Sequence, residues 1–377
     1  MAKHILIVAG DASGDRHAAS LAAALKEKEP SLRVTSCGGG RLKAVSDLFL
    51  FPLVDIGGFG FWEPLMKLPQ LRKALGEIRH LIRTAPPDAV VPVDYYGFNI
   101  HAARAARKAG IPVIYYISPQ VWASRPGRVK KLAKVLEKML VIFPFEEDIY
   151  RRAGIPVRFV GHPLIDSVPA PAEPEGLSIG LLPGSRRSIA ARHLPIVIKA
   201  SERLRSIFPG ADFVLFRPNE IEPNFYAPFI SGRPWIHLIH EEDYAVRKKL
   251  SLALSVSGTS ALENMLLGIP MVVFYKLSTV TYMIARRLIR VPFVAIPNIL
   301  AGRAIVPEFL QNSADPDKIA SKARGILENK TIWDSTRSEL LSLRNKLGGG
   351  NASRRAAEEI LKILPQKTPF PSTGDLA

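Results

Sequence analysis

Four short stretches hold residue types at spacings that could do chemistry. Asp94 ends an apolar run in VPVDYYGFN, residues 91–99. A carboxylate at the C-terminal end of a buried strand is placed to take a proton from a substrate hydroxyl. The same position equally suits a cap on the helix that follows. Asp11 stands in GDASGD, residues 10–15, where small residues let the backbone approach a ligand. There the free N–H groups of a first helical turn point at the ligand, although Asp11 or Ser13 would serve as well as an ordinary N-cap. LPGSRR, residues 182–187, repeats that strand-to-helix turn, with Ser185 and Arg186 suited to phosphate. SGTSALE, residues 257–263, is a third. Gly258, Thr259 and Ser260 would open a helix whose N-terminus holds a diphosphate, and Glu263 would accept hydrogen bonds from a ribose. Ser260 and Glu263 also fit the S-x-x-E capping box. His162, in GHPLID, fits packing as well as chemistry.

Other chemistries lack their spacing. Neither the G-x-x-x-x-G-K-[ST] loop nor the G-x-G-x-x-G fingerprint occurs, and no His, Cys or carboxylate group has metal-ligand spacing. The expectation is anion binding by helix ends and arginine, with no metal and no cofactor.

The elements that must position these turns alternate along the chain. Strands are expected at Ile5–Ala9, Arg33–Cys37, Ala89–Val93, Val113–Ile117, Met139–Phe143 and Arg158–Val160, then at Leu177–Leu182, Asp212–Phe216, Trp235–Ile239, Leu252–Val256 and Met271–Tyr275. Helical patterns intervene, among them Arg187–Phe208, Ser260–Leu267 and Pro316–Glu328. That rhythm predicts two Rossmann-like, doubly wound α/β domains, residues 1–168 and 177–345, facing across a cleft. The proline-rich PAPAEPEG, residues 169–176, reads as the linker. Residues 346–364 read as a helix that packs back on the first domain or on a partner subunit, and 365–377 as a disordered tail.

The chain carries 51 Lys and Arg against 34 Asp and Glu, a net charge of +17, which draws polyanions such as nucleic acid, anionic lipid or phosphorylated substrates. No nucleic-acid module accompanies the charge, so a nucleic-acid partner is not expected. The single cysteine, Cys37, allows no internal disulfide and points to a reducing compartment. No signal-peptide pattern opens the chain, and no run approaches the ~18 apolar residues of a spanning helix. A cytoplasmic protein is expected. The aromatic GGFGFW, with Phe59, Phe61 and Trp62, precedes a stripe of Leu65, Leu68, Leu71, Leu75, Ile78 and Ile82 beside basic residues. A second basic amphipathic segment spans Tyr282–Phe293, with Arg286, Arg287 and Arg290. Such helices suit an anionic membrane surface or an acyl substrate, and equally a core-packed helix with a solvated face.

Taken in order, GDASGD, VDYYGFN, YYISPQVWASRPGRVKK, FPFEE, VGHPLID, LLPGSR, SGTSALE, PNILAGR and PEFLQ resemble the lipid-A-disaccharide synthases, inverting glycosyltransferases of the GT-B fold. The resemblance runs from Ile5 to about Leu364. It implies a UDP-2,3-diacylglucosamine donor and a 2,3-diacylglucosamine 1-phosphate acceptor, joined β-1,6 with release of UDP. It implies a peripheral place on the inner face of the inner membrane, and the family's exchanged C-terminal segments leave a homodimer open. Asp94 matches the family's proposed base. Asp11 stands where many members have glutamate, beside the proposed acceptor site. Arg186, Glu263 and Asn298 match residues implicated in donor binding or activity, while Ser118 and Gln120 fall in a cleft loop. Phe59, Phe61, Trp62 and Leu65 would contact membrane or acyl chains. Two positions depart from the pattern: Gly97 replaces an acid and Ile189 a glutamate. The alternatives are a related GT-B enzyme using another UDP-sugar, and an inactive family member.

Overall fold

A computed structural model of the chain describes residues 2–56, 68–278, 281–283 and 291–365. It divides into two compact units. One runs to Pro163 and takes up the chain again from Gly350; the other is Leu164–Gly349.

The first unit is built on seven parallel strands: β1 (His4–Ala9), β2 (Arg33–Gly38), β3 (Leu48–Pro52), β4 (Ala89–Val93), β5 (Ile114–Tyr116), β6 (Lys138–Val141) and β7 (Val157–Phe159). Their order is β3-β2-β1-β4-β5-β6-β7. Strands β1 and β4 are apolar almost throughout because helices cover both faces of a parallel sheet. The order reverses between these two, where Ala9 pairs with Val93. The second unit repeats the plan with β8 (Ser178–Leu182), β9 (Asp212–Arg217), β10 (Ile236–His240), β11 (Leu252–Val256), β12 (Met271–Tyr275) and β13 (Glu308–Leu310). Its order is β10-β9-β8-β11-β12-β13, so the reversal lies between β8 and β11, where Leu182 pairs with Ser255.

Two strands escape the sequence reading, β3 and β13. Both are edge strands. The first is only partly buried and shows no alternation, and the second has three residues. The proline-rich linker is tied down: Arg344 donates to the Pro169 carbonyl, and Arg337 to the Ala172 carbonyl and the Glu173 carboxylate.

The Leu68–Thr84 helix buries Ala74, Ile78, Leu81 and Ile82 in the core of the first unit, with Leu71 and Leu75 packed alongside. Its apolar stripe is therefore core packing, the second of the two readings its pattern allowed; of the stripe's described residues only Leu68 is exposed. Phe59, Phe61, Trp62, Leu65, Arg286, Arg287 and Arg290 lie outside the described residues. Among the described residues no helix is long and apolar enough to cross a membrane.

Candidate active site

In an open parallel sheet, a crevice forms outside the strand ends where the order reverses, because successive crossovers there leave on opposite faces. GDASGD follows β1 and VDYYGFN ends β4, so the first unit brings both to its reversal. LPGSRR follows β8 and SGTSALE follows β11, at the reversal of the second.

Asp94 and Tyr95 take left-handed backbone conformations, φ 47 and 40. Each costs about 1–3 kcal/mol for a residue with a side chain. Three bonds hold the turn. Asn99 Nδ2 and the Tyr115 hydroxyl donate to the Asp94 carbonyl, the former at 2.8 Å. The Asp94 N–H donates to the Tyr116 carbonyl at 3.0 Å. Asp94 Oδ1 accepts from the Tyr95 N–H at 2.8 Å, and Oδ2 has no bond among the described residues. The following helix, Tyr96–Lys108, has Tyr95 as its N-cap and no side-chain cap, so Asp94 does not cap it. Burial, and then the nearby Asp11 charge, push the Asp94 carboxyl up to about 7 against the pull of the Tyr95 N–H.

Gly10 lets this turn close. A β-carbon there would fall 1.9 Å from the Tyr95 ring. Asp11 is a true N-cap, accepting from the Gly14 N–H at 2.7 Å. The other acid of GDASGD has a role the sequence did not disclose. The buried Asp15 carboxylate accepts from the N–H groups of Gly39, Arg41 and Leu42, at 2.6, 3.1 and 3.3 Å, and so anchors the turn after β2.

At the same end of the sheet, beyond β5, Ser118 bonds the Tyr150 hydroxyl at 2.6 Å, while Gln120 is exposed. Glu146, from FPFEE, is buried and pushed up to about 8 by desolvation; it accepts from the Phe143 N–H and the Trp122 indole. His162 is buried 5.1 Å from the Phe143 ring. Desolvation and His17 push its pKa down to about 3, so it is neutral at ordinary pH.

In the second unit, Arg186 is the exposed N-cap of the Arg187–Ile207 helix, with exposed Ser185 before it. Arg187 is committed elsewhere, 4.6 Å over the Phe225 ring. Ile189 packs under the turn; a β-carbon on Gly184 would come 2.6 Å from its Cγ2. The helix after β11 is Thr259–Leu266, capped by Gly258 at φ 140, ψ −153, a conformation open to glycine. Ser260 therefore lies inside the helix, and the capping-box expectation is overturned. The Glu263 carboxylate turns instead to Arg247 at 2.6 Å and the Tyr244 hydroxyl at 2.8 Å.

Arg247 is fully buried and also donates to Asn264 Oδ1, at 3.0 and 2.9 Å, and to the Ser260 carbonyl at 2.8 Å. Sequence reasoning passed over it, because an arginine in the charged stretch EEDYAVRKK reads as solvated surface. Asn298 is buried with its bonding capacity spent inside the unit. It donates to the Val306 carbonyl (2.8 Å) and Glu308 (2.7 Å), and accepts from the N–H groups of Ile305 (2.8 Å) and Val306 (2.9 Å). Glu308 in turn accepts from the N–H groups of Val294 and Ala295, and Ser257 donates to the Val294 carbonyl at 2.7 Å. Asn298 thus staples the segment that lies against the turn after β11.

The family model described as lipid-A-disaccharide synthetase matches residues 5–364. Among curated relatives, the lipid-A-disaccharide synthase of Geobacter metallireducens is 37% identical, over 97% of this chain and 98% of its own. That of Syntrophus aciditrophicus is 38% identical, over 96% and 98%. That of Anaeromyxobacter sp. (strain K) is 39% identical, over 96% and 97%. Two solved structures share the fold at low identity. UDP-GlcNAc 2-epimerase from Neisseria meningitidis, bound to UDP-GlcNAc, has a TM-score of 0.62 at 17% identity, over 95% of this chain and 100% of that one. MurG from Acinetobacter baumannii has 0.60 at 16%, over 96% and 99%. With both sheets parallel and both reversals carrying the matched motifs, the fold is GT-B and the chain belongs to the lipid-A-disaccharide synthetase family.

Proposed function

We propose that this glycosyltransferase of lipid A disaccharide formation moves a 2,3-diacylglucosaminyl group from UDP to the 6-hydroxyl of 2,3-diacylglucosamine 1-phosphate in one inverting displacement. As the acceptor oxygen attacks the anomeric carbon, Asp94 takes its proton. The new C–O bond forms while the bond to the diphosphate breaks, and UDP leaves with the electron pair. The observation that carries this is the Asp94 carboxyl itself: half its oxygens free, its backbone strained and triply held, its pKa near the pH at which a base must work.

The charge growing on UDP is met by the N–H groups opening the Thr259–Leu266 helix and by Arg186, with Ser185, Gly258 and Ser260 shaping the two turns. Glu263, oriented by Arg247, accepts from the uridine ribose. Asn298 acts through the segment it staples rather than by touching the donor, since its amide is already saturated. Asp11 acts on Asp94 through its charge.

Asp94→Ala is expected to lower turnover by about 10²–10⁴-fold while UDP-sugar affinity changes less than threefold. Disaccharide measured by mass spectrometry and donor binding by calorimetry check this. Near-normal turnover would sink the assignment of the base.

Phe59, Phe61, Trp62 and Leu65 are proposed to meet acyl chains at an anionic bilayer, which places the enzyme peripherally on the inner face of the inner membrane. Phe61→Ser with Trp62→Ser is expected to reduce co-sedimentation with anionic liposomes by at least threefold; unchanged binding would count against it.

A further inference from the structure

Arg125 and Arg128 stand in SRPGRVKK, residues 124–131, outside the machinery described above. The Arg128 guanidinium is partly buried and lies 4.3 Å from the centroid of the Tyr96 ring. Tyr96 is two residues past Asp94. Arg128 also lies within electrostatic reach of Tyr115, whose hydroxyl holds the Asp94 carbonyl. Two neighbours therefore tie Arg128 to the turn that bears the base.

Arg125 is exposed, has a left-handed backbone at φ 55, and stands close enough for its charge to oppose that of Arg128. Among the described residues neither guanidinium meets a carboxylate. That is unlike Arg151, Arg203, Arg233 and Arg324, which find acids even near the surface. Two like charges held together repel, and an anion bridging them turns the repulsion into attraction. Paired guanidinium groups match the oxygens of a phosphomonoester, which a single ammonium does not.

We propose that Arg125 and Arg128 bind the phosphomonoester of the acceptor and thereby deliver its 6-hydroxyl to Asp94. The inference rests on the transfer reading above. In a glucosamine 1-phosphate, the anomeric phosphate and the 6-hydroxyl flank the ring oxygen. A phosphate anchored beside Tyr96 leaves the hydroxyl reaching back toward Asp94. The pair sets acceptor specificity and does not touch the donor.

The test compares 2,3-diacylglucosamine 1-phosphate with the same acceptor lacking the phosphate, in non-ionic micelles and, as a second arm, in anionic vesicles. Wild type is expected to favour the phosphorylated acceptor by at least about tenfold in kcat/KM. Arg128→Gln and Arg125→Gln are expected to cut that preference to about threefold or less by raising acceptor KM, with donor KM unchanged and Arg128→Lys intermediate. Arg125 is exposed, so its variant does not depend on repacking, and thermal melting checks both. A wild type that makes no disaccharide would sink the transfer reading and this assignment together. A working wild type whose variants keep the preference would sink this assignment alone. Loss confined to anionic vesicles, and equal for both acceptors, would assign the pair to bilayer phosphate and overturn it as well.

Discussion

At the Asp94 carboxyl three influences compete. Burial raises its pKa most, the Asp11 charge raises it further, and the Tyr95 N–H lowers it. A base must be ionised to accept a proton. With a value of about 7, activity is expected to rise from about a tenth of its plateau at pH 6 to about nine-tenths at pH 8. Asp11→Asn removes the like charge and is expected to move this acid limb to lower pH, though burial keeps it above the ordinary aspartate value. The pH dependence of kcat/KM measures this, and an unmoved or upward-moved limb would refute the coupling. The same shift acts on stability. Because the folded pKa lies above the unfolded one, stability is lost as pH rises from the unfolded value through about 7. Asp94→Asn should therefore raise the melting temperature at pH 8 and leave it nearly unchanged at pH 4.

Among the elements, the helices after β4 and β11 answer the same problem differently. Both begin without a side-chain cap. Their exposed N-termini sit at the sheet reversals, where a substrate can supply what a cap would have. Gly97 lies in the first turn of the Tyr96–Lys108 helix, exposed, with open space around the site of a β-carbon. The acid of the family pattern would project there without touching the bonds that hold Asp94. Its loss leaves the base in place. The helix after β11 is pinned by Arg247, whose guanidinium joins Glu263, Asn264 and the Ser260 carbonyl. Arg247→Met would strand a buried carboxylate and is expected to cost about 3–5 kcal/mol in chemical denaturation. Arg247→Met with Glu263→Met should cost less than the single change, because no uncompensated charge remains. A double variant less stable than the single would contradict this view of the pair.

For the whole molecule, the chain's return to its first unit matters most. The Ala352–Leu361 helix buries Ala352, Ala356, Ala357 and Ile360, packing on the Ala12–Lys28 helix. Lys28 pairs with Glu358 at 2.8 Å, Lys138 with Glu359, and Arg355 donates to the Val160 carbonyl at 2.7 Å. Removing residues from Gly350 onward is expected to strip hydrogen-exchange protection from the Ala12–Lys28 helix and from β6 and β7. Amides of β8, β9 and β11 should keep theirs, because their core is drawn from Leu164–Gly349 alone. Equal loss in both units would show that the helix stabilises the chain as one cooperative body.

How much was legible divides along the same physical line. Strand-and-helix alternation, the apolar runs of β1, β4, β8 and β11, and the four turns that follow them are local properties, written in residue type and spacing. They sufficed for two parallel α/β units and for Asp94, Asp11, Arg186 and Glu263 as candidates. Edge strands β3 and β13 escaped because they bury too little to leave a pattern. Long-range pairing decided the rest. Which strand ends adjoin at each reversal, that Arg247 is fully buried within a charged stretch, that Asn298 is saturated, and that Asp15 anchors a turn 24 residues away all depend on contacts between distant segments. A pKa near 7 for Asp94 arises only when the folded chain withdraws water from it and sets Asp11 beside it. Sequence alone determined which groups could do the chemistry; tertiary structure decided which of them are ionised, held or already spent.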